Sequence, residues 1–476
     1  MRPLYSLLLI GLLTSQAQAA AAGHPISLTD VYRLAVANNA ELAAAHAAYQ
    51  ARSENVPQAR AGLLPQLGAS ASNTTSRTRV DTREYGALTA KRHSYSYQAS
   101  LSQPLFRLDR WYQLKTAQAD SEQAALELSA TEQALILHSA EAYFAVLRSQ
   151  DNLAASQAEE KAFQRQYDLA RERFNVGLSD KTDMLQAQAA QDNARANRIQ
   201  ASQQVQDAFE ALVTLTDHRL EALEGVRHSL PVAVPVPNEA AAWVDRALAD
   251  NLQLRAMDFA LRAAQQNLRT RKAGHLPTLD AVAQYQKGDN DSLGFANRGM
   301  PGYPAYNRHA EQTAIGLQLS IPLYTGGATS SQIRQGVHQL HHAEHSQENL
   351  RRQTVQAARS LHRAVNTDVE QVQARKQTII SSHSAVEATQ AGYEVGTRTL
   401  VDVLDAQRQL YAAVRNYNNA RYDYILNSLR LQQTAGSLSP DSLQALSEYL
   451  YADYHPERDF LPPDLEQATR NNLRKR

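Results

Sequence analysis

The chain has 476 residues, with 48 lysine and arginine residues balanced by 48 aspartate and glutamate residues. This neutral balance gives no electrostatic reason to expect nucleic acid as a partner, and we predict none. Ala, Gln, Leu and Arg are abundant and Gly and Phe are few, which favours long helices over a thick apolar core. Cysteine is absent, so we expect neither disulfides nor a lipid-acylated cysteine.

Residues 1–19 are typical of an export signal. Arg2 supplies a basic end, Leu4 to Leu13 form an apolar segment, and Ala17-Gln18-Ala19 is a small-residue cleavage site. The rest of the sequence has no run of the roughly 18 apolar residues that a membrane-spanning helix needs. If the exported chain crosses a bilayer, we expect it to do so as strands of a closed barrel, in which every backbone group is paired.

Two stretches of sequence share one layout and indicate an internal repeat. RFNVGLSDKTDMLQAQ (173–188) and GYEVGTRTLVDVLDAQ (392–407) each contain an aromatic residue, Val-Gly, an Asp and a helical segment ending in Gln. The flanking segments AGLLPQL and SQPLF recur as AGHLPTL and SIPLY in the same order. We therefore predict a first structural repeat (23–224), a Pro-rich linker (225–238), a second repeat (239–437) and a C-terminal segment (438–476).

Each repeat is predicted to contain a helix, a strand pair and a long helical hairpin. A helix from Ser27 to about Arg60 begins the first repeat. The strand pairs are expected at about 66–104 and 278–322, where alternating apolar and polar residues are typical of membrane barrel strands, with loops at 79–93 and 287–312. Long stretches without Gly or Pro then predict hairpins with tips at Gly177 and Gly396. In the last segment we expect a short helix after Leu438 and disorder from Tyr454 onward.

Four candidate strands are too few to close a membrane barrel, for which about eight is the smallest usual number. Closure therefore requires several copies of the chain, and we predict a homo-oligomer. Each copy would contribute four strands that continue into four long helices.

The repeated tips, the paired Leu-Pro junctions and the duplicated layout resemble the TolC family of outer-membrane efflux proteins (outer-membrane factors). The resemblance covers the mature chain to about Leu450 and is most specific at GYEVGTRT and VDVLDAQ. It implies a mostly α fold with a transmembrane β-barrel: a TolC-like trimeric channel in which a 12-stranded β-barrel, four strands per chain, continues into a 12-helix periplasmic α-barrel. It also implies an equatorial mixed region built partly from the linker and partly from the segment after Leu438.

The resemblance further implies a function and partners. The protein would lie in the outer membrane, extend into the periplasm, and serve as the exit duct of a tripartite efflux pump or a type I secretion system. It would be a passive channel gated at its periplasmic end. Its partners would be two sister chains, outer-membrane lipid, a periplasmic adaptor (membrane fusion) protein, and an inner-membrane pump of the RND, ABC or MFS type.

The candidate site residues cluster at the two tips. By resemblance, Asp402 and Asp405 form a carboxylate ring that selects cations, and their crowding should raise their proton affinity and attract divalent cations. The resemblance also assigns links that hold the entrance closed (Arg398, Tyr393, Asp183 and Thr182) and tips that dock the adaptor (Val176, Gly177, Val395 and Gly396). Without the motif, these charged residues would be interpreted as an ordinary solvated surface.

The sequence also bears on two other classes of protein. A soluble periplasmic coiled-coil adaptor or scaffold would explain the hairpins, but the duplicated strand pairs count against it. An enzyme is not expected, because the sequence has no nucleophile triad, phosphate loop or cofactor fingerprint, and we predict no cofactor. One helical face carries histidines at spacings that could bind a metal, although a solvated stripe is the favoured interpretation: His338, His341, His342 and His345.

Overall fold

The computed structural model describes residues 25–83, 86–289 and 309–461. The export signal predicted at 1–19 lies outside this range, as do residues 290–308 of the second predicted loop and the final residues 462–476. No helix in the described part of the chain is both long enough and apolar enough to cross a membrane.

The elements follow the same order twice. The first series is α1 (Leu28–Asn38), α2 (Ala40–Ser53), α3 (Asn55–Ala61), β1 (Gln66–Thr82), β2 (Gly86–Phe106), α4 (Leu108–Asn175) and α5 (Lys181–Thr216). A short strand, β3 (Gly225–Val226), follows. The second series is α6 (Ala240–Asp250), α7 (Leu252–Ala273), β4 (Thr278–Asp289), β5 (His309–Ser320), α8 (Ala328–Glu394) and α9 (Leu400–Thr434). The C-terminal elements are α10 (Pro440–Ser447), β6 (Leu450–Tyr451) and α11 (Pro456–Asp459).

The first helix differs from the prediction because it is divided into three. Ser27 caps α1 at the predicted start of the helix, and its hydroxyl accepts a hydrogen bond from the Asp30 backbone amide at 3.2 Å. Asn39 then adopts an extended conformation, and its side-chain oxygen accepts a bond from the Leu42 amide at 2.9 Å. An Asn side chain competes with the helical backbone for such bonds, so it ends one helix and begins the next. The same break recurs at Asn251, between α6 and α7.

One compact unit holds His46–Glu127 and Gln253–Leu350, and it contains an antiparallel sheet of order β1-β2-β4-β5. The loop predicted at 79–93 is wrong for most of its length, because β1 and β2 stay paired up to Thr82 and Gly86. β4 and β5 likewise stay paired to Asp289 and His309. Backbone hydrogen bonds between the strands continue through residues that are mostly polar. These residues show no alternation of apolar and polar side chains, so the sequence predicts strands that are too short.

The two faces of the sheet differ in polarity. Residues directly opposite each other in the register share a face, and one face carries Leu67, Leu101, Tyr97, Tyr285, Ile315, Leu317 and Leu319. These side chains are exposed, Ile315 to 83% and Leu317 to 70%. The opposite face carries small and polar residues, among them Ser70, Gln98, Gln284 and Gln318. The sheet therefore has the alternation that the sequence predicts.

The other compact unit takes in the remaining described residues, and its largest core surrounds α4 and α9. Here the predicted C-terminal disorder is wrong as far as Leu461. β6 pairs with β3, Phe460 is buried, and the Asn418 side-chain Nδ2 donates to the Phe460 carbonyl oxygen at 2.8 Å. The adjacent Arg458 and Asp459 of this segment form an ion pair at 2.7 Å.

A buried carboxylate joins the C-terminal segment to two long helices. Asp151 of α4 accepts hydrogen bonds from the Tyr422 hydroxyl of α9 at 2.7 Å and from the Tyr454 hydroxyl. Burial raises the pKa of Asp151 to about 6, although both tyrosine hydrogen bonds and the Arg421 charge oppose the shift. Folding therefore disfavours the ionised form, and the cost is fully present above about pH 6 and disappears as the pH falls below the ordinary carboxylate value.

We expect Asp151→Asn to remove this pH dependence. A pKa raised from 3.8 to about 6 corresponds to about 3 kcal/mol of lost stability at neutral pH. The wild type should thus melt below the variant at pH 7.5 and approach it at pH 4.5, as measured by circular dichroism. A melting difference that is equal at both pH values would contradict the assignment. Tyr454→Phe should move the transition to higher pH, because one bond to the carboxylate is lost.

Glycine is needed where α9 ends. Gly436 has a φ of 72°, and a Cβ there would lie 2.3 Å from the carbonyl oxygen of Asp250. Gly396 has a φ of 80°, but a Cβ there would meet nothing within 4 Å. The two positions share the backbone requirement and differ only in the space around them.

Gly436→Ala should therefore destabilise the protein more than Gly396→Ala. Both variants incur about 1–2 kcal/mol for the left-handed backbone. Gly436→Ala adds about 1–3 kcal/mol of overpacking against the backbone of α6. Thermal melting of the two variants measures the difference, and equal melting temperatures would show that the α6 backbone moves away at little cost.

Candidate functional site

Two turns, after α4 and after α8, reverse the helical hairpins in the same way. Gly177 and Gly396 have φ values of 76° and 80°. The Leu178 amide donates to the Arg173 carbonyl at 2.8 Å, and the Thr397 amide donates to the Gly392 carbonyl at 2.8 Å. In each turn, a glycine with positive φ lets the following amide donate a hydrogen bond to a carbonyl in the last turn of the helix. The tips expose apolar side chains: Val176, Leu178 and Val395 are 69%, 79% and 75% exposed.

Below the tips the helices pack through small residues. The apolar cluster here contains Phe163, Ala170, Ala187, Ala190, Ala194, Leu400 and Leu404. Tyr393 packs against this cluster, and the Arg173 guanidinium lies 5.0 Å from the centre of its ring. This cation–π contact ties α4 to α8, and the sequence pattern did not reveal it.

Asp402 has a structural role that the sequence analysis missed. Its carboxylate accepts hydrogen bonds from the Thr399 amide and the Thr399 hydroxyl, each at 2.9 Å. The Thr399 hydroxyl in turn accepts a bond from the Asp402 amide at 3.3 Å. This reciprocal capping box starts α9, and the Thr-x-x-Asp spacing in the sequence could have identified it.

The electrostatics of Asp402 and Asp405 differ from those of two bare carboxylates. The bonds from the Thr399 amide and hydroxyl, together with the Arg398 charge, lower the pKa of Asp402. Within one chain the shift is therefore opposite to the one expected from crowding. Asp405 pairs with Arg408 at 2.8 Å, and both side chains are about half exposed. Exposed pairs are weak, but Arg408 offsets part of the negative charge on this face.

Arg398 lies across the turn after α8. A Cβ on Gly392 would lie 2.7 Å from the Arg398 Cγ, so the missing side chain of Gly392 makes room for this arginine. Arg398 is exposed, and within the described ranges it forms no ion pair with a carboxylate. Its guanidinium is available to groups outside the chain.

The other predicted links are not joined to Arg398 within one chain. Asp183 accepts a bond from the Ser179 hydroxyl at 2.8 Å, and its amide donates to the Asp180 cap at 3.0 Å. Thr182 is exposed. The structure thus brings all four residues to the tips without connecting Arg398 or Tyr393 to Thr182 or Asp183 by a hydrogen bond among the residues described.

The histidine stripe lies on α8. The His338 and His341 rings are 6.5 Å apart. Among the residues that the structure describes, no group of three or more His, Asp or Glu side chains is placed to hold a metal ion.

Comparison with known proteins identifies the family. The outer membrane efflux protein family matches residues 31–218 and 243–437. The chain is 36% identical over 413 residues to the outer membrane protein TolC of Vibrio cholerae. The alignment covers 87% of this chain and 91% of that protein. It is 28% identical to the alkaline protease secretion protein AprF of Pseudomonas aeruginosa, with coverage of 91% and 89%.

The fold agrees with solved structures. The outer membrane protein VceC of Vibrio cholerae superposes with a TM-score of 0.71 at 18% identity, covering 86% of this chain and 96% of VceC. The fold is therefore that of a TolC-like channel, mostly helical with a smaller β part, as predicted. From the match of both repeats, we conclude that the chain belongs to the outer membrane efflux protein family.

Proposed function

We propose that this outer-membrane exit duct is a passive channel gated at its helical tips, serving a tripartite efflux pump or a type I secretion system. The observation that carries the proposal is the sheet with an exposed apolar face in the same chain as two long helical hairpins. A sheet face that exposes apolar side chains from neighbouring strands is unfavourable in water and favourable in lipid. The alternative of a soluble periplasmic adaptor is therefore not favoured, and the names of the relatives agree, since they include TolC and a protease secretion protein.

The same sheet supports assembly into a trimer. β1 and β5 lie at its two edges, and edge strands present unpaired backbone groups that seek another strand. Three copies would supply twelve strands, which is within the range of closed outer-membrane barrels. The three pairs of hairpins would then continue as the helical part of the duct in the periplasm.

The gate is proposed to lie between copies of the chain. Arg398 is exposed and forms no ion pair within 4 Å of a carboxylate among the described residues, and Asp183 and Thr182 lie at the other tip. Bonds from Arg398 and Tyr393 to these residues of a sister chain would hold neighbouring hairpins together. Such links are few and polar, so a partner with better contacts to the open form can shift the population toward it.

The exposed tips are the proposed docking surface for the periplasmic adaptor. Val176, Leu178 and Val395 present apolar side chains beside Gly177 and Gly396. An inner-membrane pump of the RND, ABC or MFS type would supply the energy and select the cargo. We propose no enzymatic activity and no cofactor for this chain.

Detergent extraction followed by planar-bilayer recording tests the function. We expect the protein in the outer-membrane fraction, a mass of three chains after chemical crosslinking, and discrete single-channel steps after insertion. Recovery in the periplasmic fraction without detergent would instead support a soluble adaptor. A monomer that inserts and conducts would contradict the trimer.

A further inference from the structure

The apolar face of the sheet ends at a band of tyrosines. Tyr95 and Tyr97 lie on this face of β2 with ring centres 6.0 Å apart, and Tyr285 of β4 lies on the same face. Tyrosine rings with an apolar body and a polar end are enriched at membrane interfaces. If the apolar face contacts lipid, which rests on the proposed function, the band marks the outer limit of the hydrocarbon.

Cations follow on the same face beyond the tyrosines. Arg77 of β1 and Lys91 of β2 are directly opposite each other in the register, and both are exposed. Lys91 lies four residues beyond Tyr95, which is about 13 Å along the strand at the usual rise. This end of β1 and β2 is opposite to the end at which β2 leads into α4.

The two cations lack compensation, unlike their neighbours. Like charges directly opposite on neighbouring strands destabilise the pair. Within the described ranges, neither Arg77 nor Lys91 forms an ion pair with a carboxylate. In contrast, Lys287 on the same face pairs with Glu311, and Arg79 lies 3.5 Å from Asp81. An anion between Arg77 and Lys91 would replace this repulsion with two attractions.

We propose that Arg77 and Lys91 bind the phosphate group of a lipid in the outer leaflet of the membrane. The acyl chains of this lipid lie along the apolar face, and its phosphate reaches the cations, which lie beyond the tyrosine band on the same face. Arginine and lysine are suited to this ligand, since a guanidinium binds two phosphate oxygens and an ammonium adds a point charge. The apolar face, the tyrosines and the cations follow in the order of the layers of a membrane.

Native mass spectrometry of the full chain in detergent tests the site. The probes are a diphosphorylated glucosamine lipid and the same lipid without phosphates. We expect the wild type to prefer the phosphorylated lipid. Arg77→Gln or Lys91→Gln should weaken its binding about fivefold, and the double variant about 25-fold, at roughly 1 kcal/mol per cation near a lipid surface. The lipid without phosphates should bind wild type and double variant equally.

A matched control variant shows whether lipid binding depends on these two cations or on the net charge of the chain. Arg195→Gln with Arg219→Gln removes the same charge from exposed positions, on α5 and just after it, and should leave lipid binding unchanged. Equal binding of the phosphorylated lipid to wild type and double variant would overturn the proposal. So would displacement of the lipid by an equal concentration of inorganic phosphate, which would indicate a site for free phosphate.

The lipid-binding result and the channel conductance are measured separately, so each can fail without the other. Binding is measured in detergent, and the same preparations are recorded in planar bilayers. Loss of lipid preference in a variant with wild-type conductance supports the site. A conducting wild type without lipid preference overturns the site and leaves the duct intact, whereas a wild type that never conducts contradicts the duct.

Discussion

Asp402→Asn should lower the preference of the channel for cations over anions. Asparagine retains an oxygen for the bonds from Thr399, so the start of α9 is preserved while the charge is removed. In a trimer this change removes three negative charges from the narrow end. We expect a decrease of about tenfold, at the lower end of the range by which charged clefts concentrate counter-ions. Reversal potentials across a KCl gradient in planar bilayers measure the effect.

Substitutions at neighbouring charged residues should change the cation selectivity by a smaller amount or in the opposite direction. Asp405→Asn should lower selectivity less than Asp402→Asn, because Arg408 already offsets the Asp405 charge. Arg408→Gln should raise selectivity for the same reason. Asp180→Asn is the control, since it removes the same charge from the helix cap at the other tip. Unchanged selectivity in the Asp402→Asn, Asp405→Asn double variant would show that these carboxylates do not line the constriction.

The pH dependence of cation selectivity shows whether the capping bonds from Thr399 or the repulsion between carboxylates of different chains controls the charge of Asp402. The Thr399 bonds lower the pKa of Asp402, so the carboxylate keeps its charge as the pH falls below the usual range for Asp. Crowding in an assembled ring acts in the opposite direction. If the capping bonds dominate, the selectivity due to Asp402 survives at pH 5. Loss of selectivity between pH 7 and 5 would show that repulsion between chains dominates.

The sequence predicted features whose signals are local. Gly177 and Gly396 stop helices by their own backbone preference, and the absence of Gly and Pro between Pro104 and Gly177 allows one continuous helix, α4. The break at Asn39 was missed because one Asn weakens a helix only slightly. Its capping of the next turn decides the outcome.

Features that depend on distant residues could not be predicted. The C-terminal segment is polar and looks disordered, but Phe460 gains burial against α9 and β6 gains a partner in β3. The Arg173 contact with Tyr393 joins residues that lie on different helices of different repeats. At the tips, the family motif proposes the site residues, whereas their bonds within the chain required the structure.

Arg398→Ser combined with Tyr393→Phe should raise the single-channel conductance by releasing the closed state. Phenylalanine keeps the ring over which Arg173 lies, so this change removes only the hydroxyl and leaves the packing below the tip in place. At about 1 kcal/mol net for each hydrogen bond, losing two bonds in each of three copies shifts the closed-to-open ratio by roughly four orders of magnitude. Conductance in planar bilayers reports the change directly. A folded double variant with wild-type conductance would contradict the proposed links.

Gly392→Ala tests the position of Arg398 without removing its charge. The new methyl group would lie 2.7 Å from the Arg398 Cγ and force that flexible side chain to move. Alanine is more favourable than glycine inside a helix, so α8 should remain folded. We expect a conductance between those of the wild type and of Arg398→Ser. If Gly392→Ala conducts like the wild type while Arg398→Ser opens the channel, the charge of Arg398 is sufficient and its placement over Gly392 is not required.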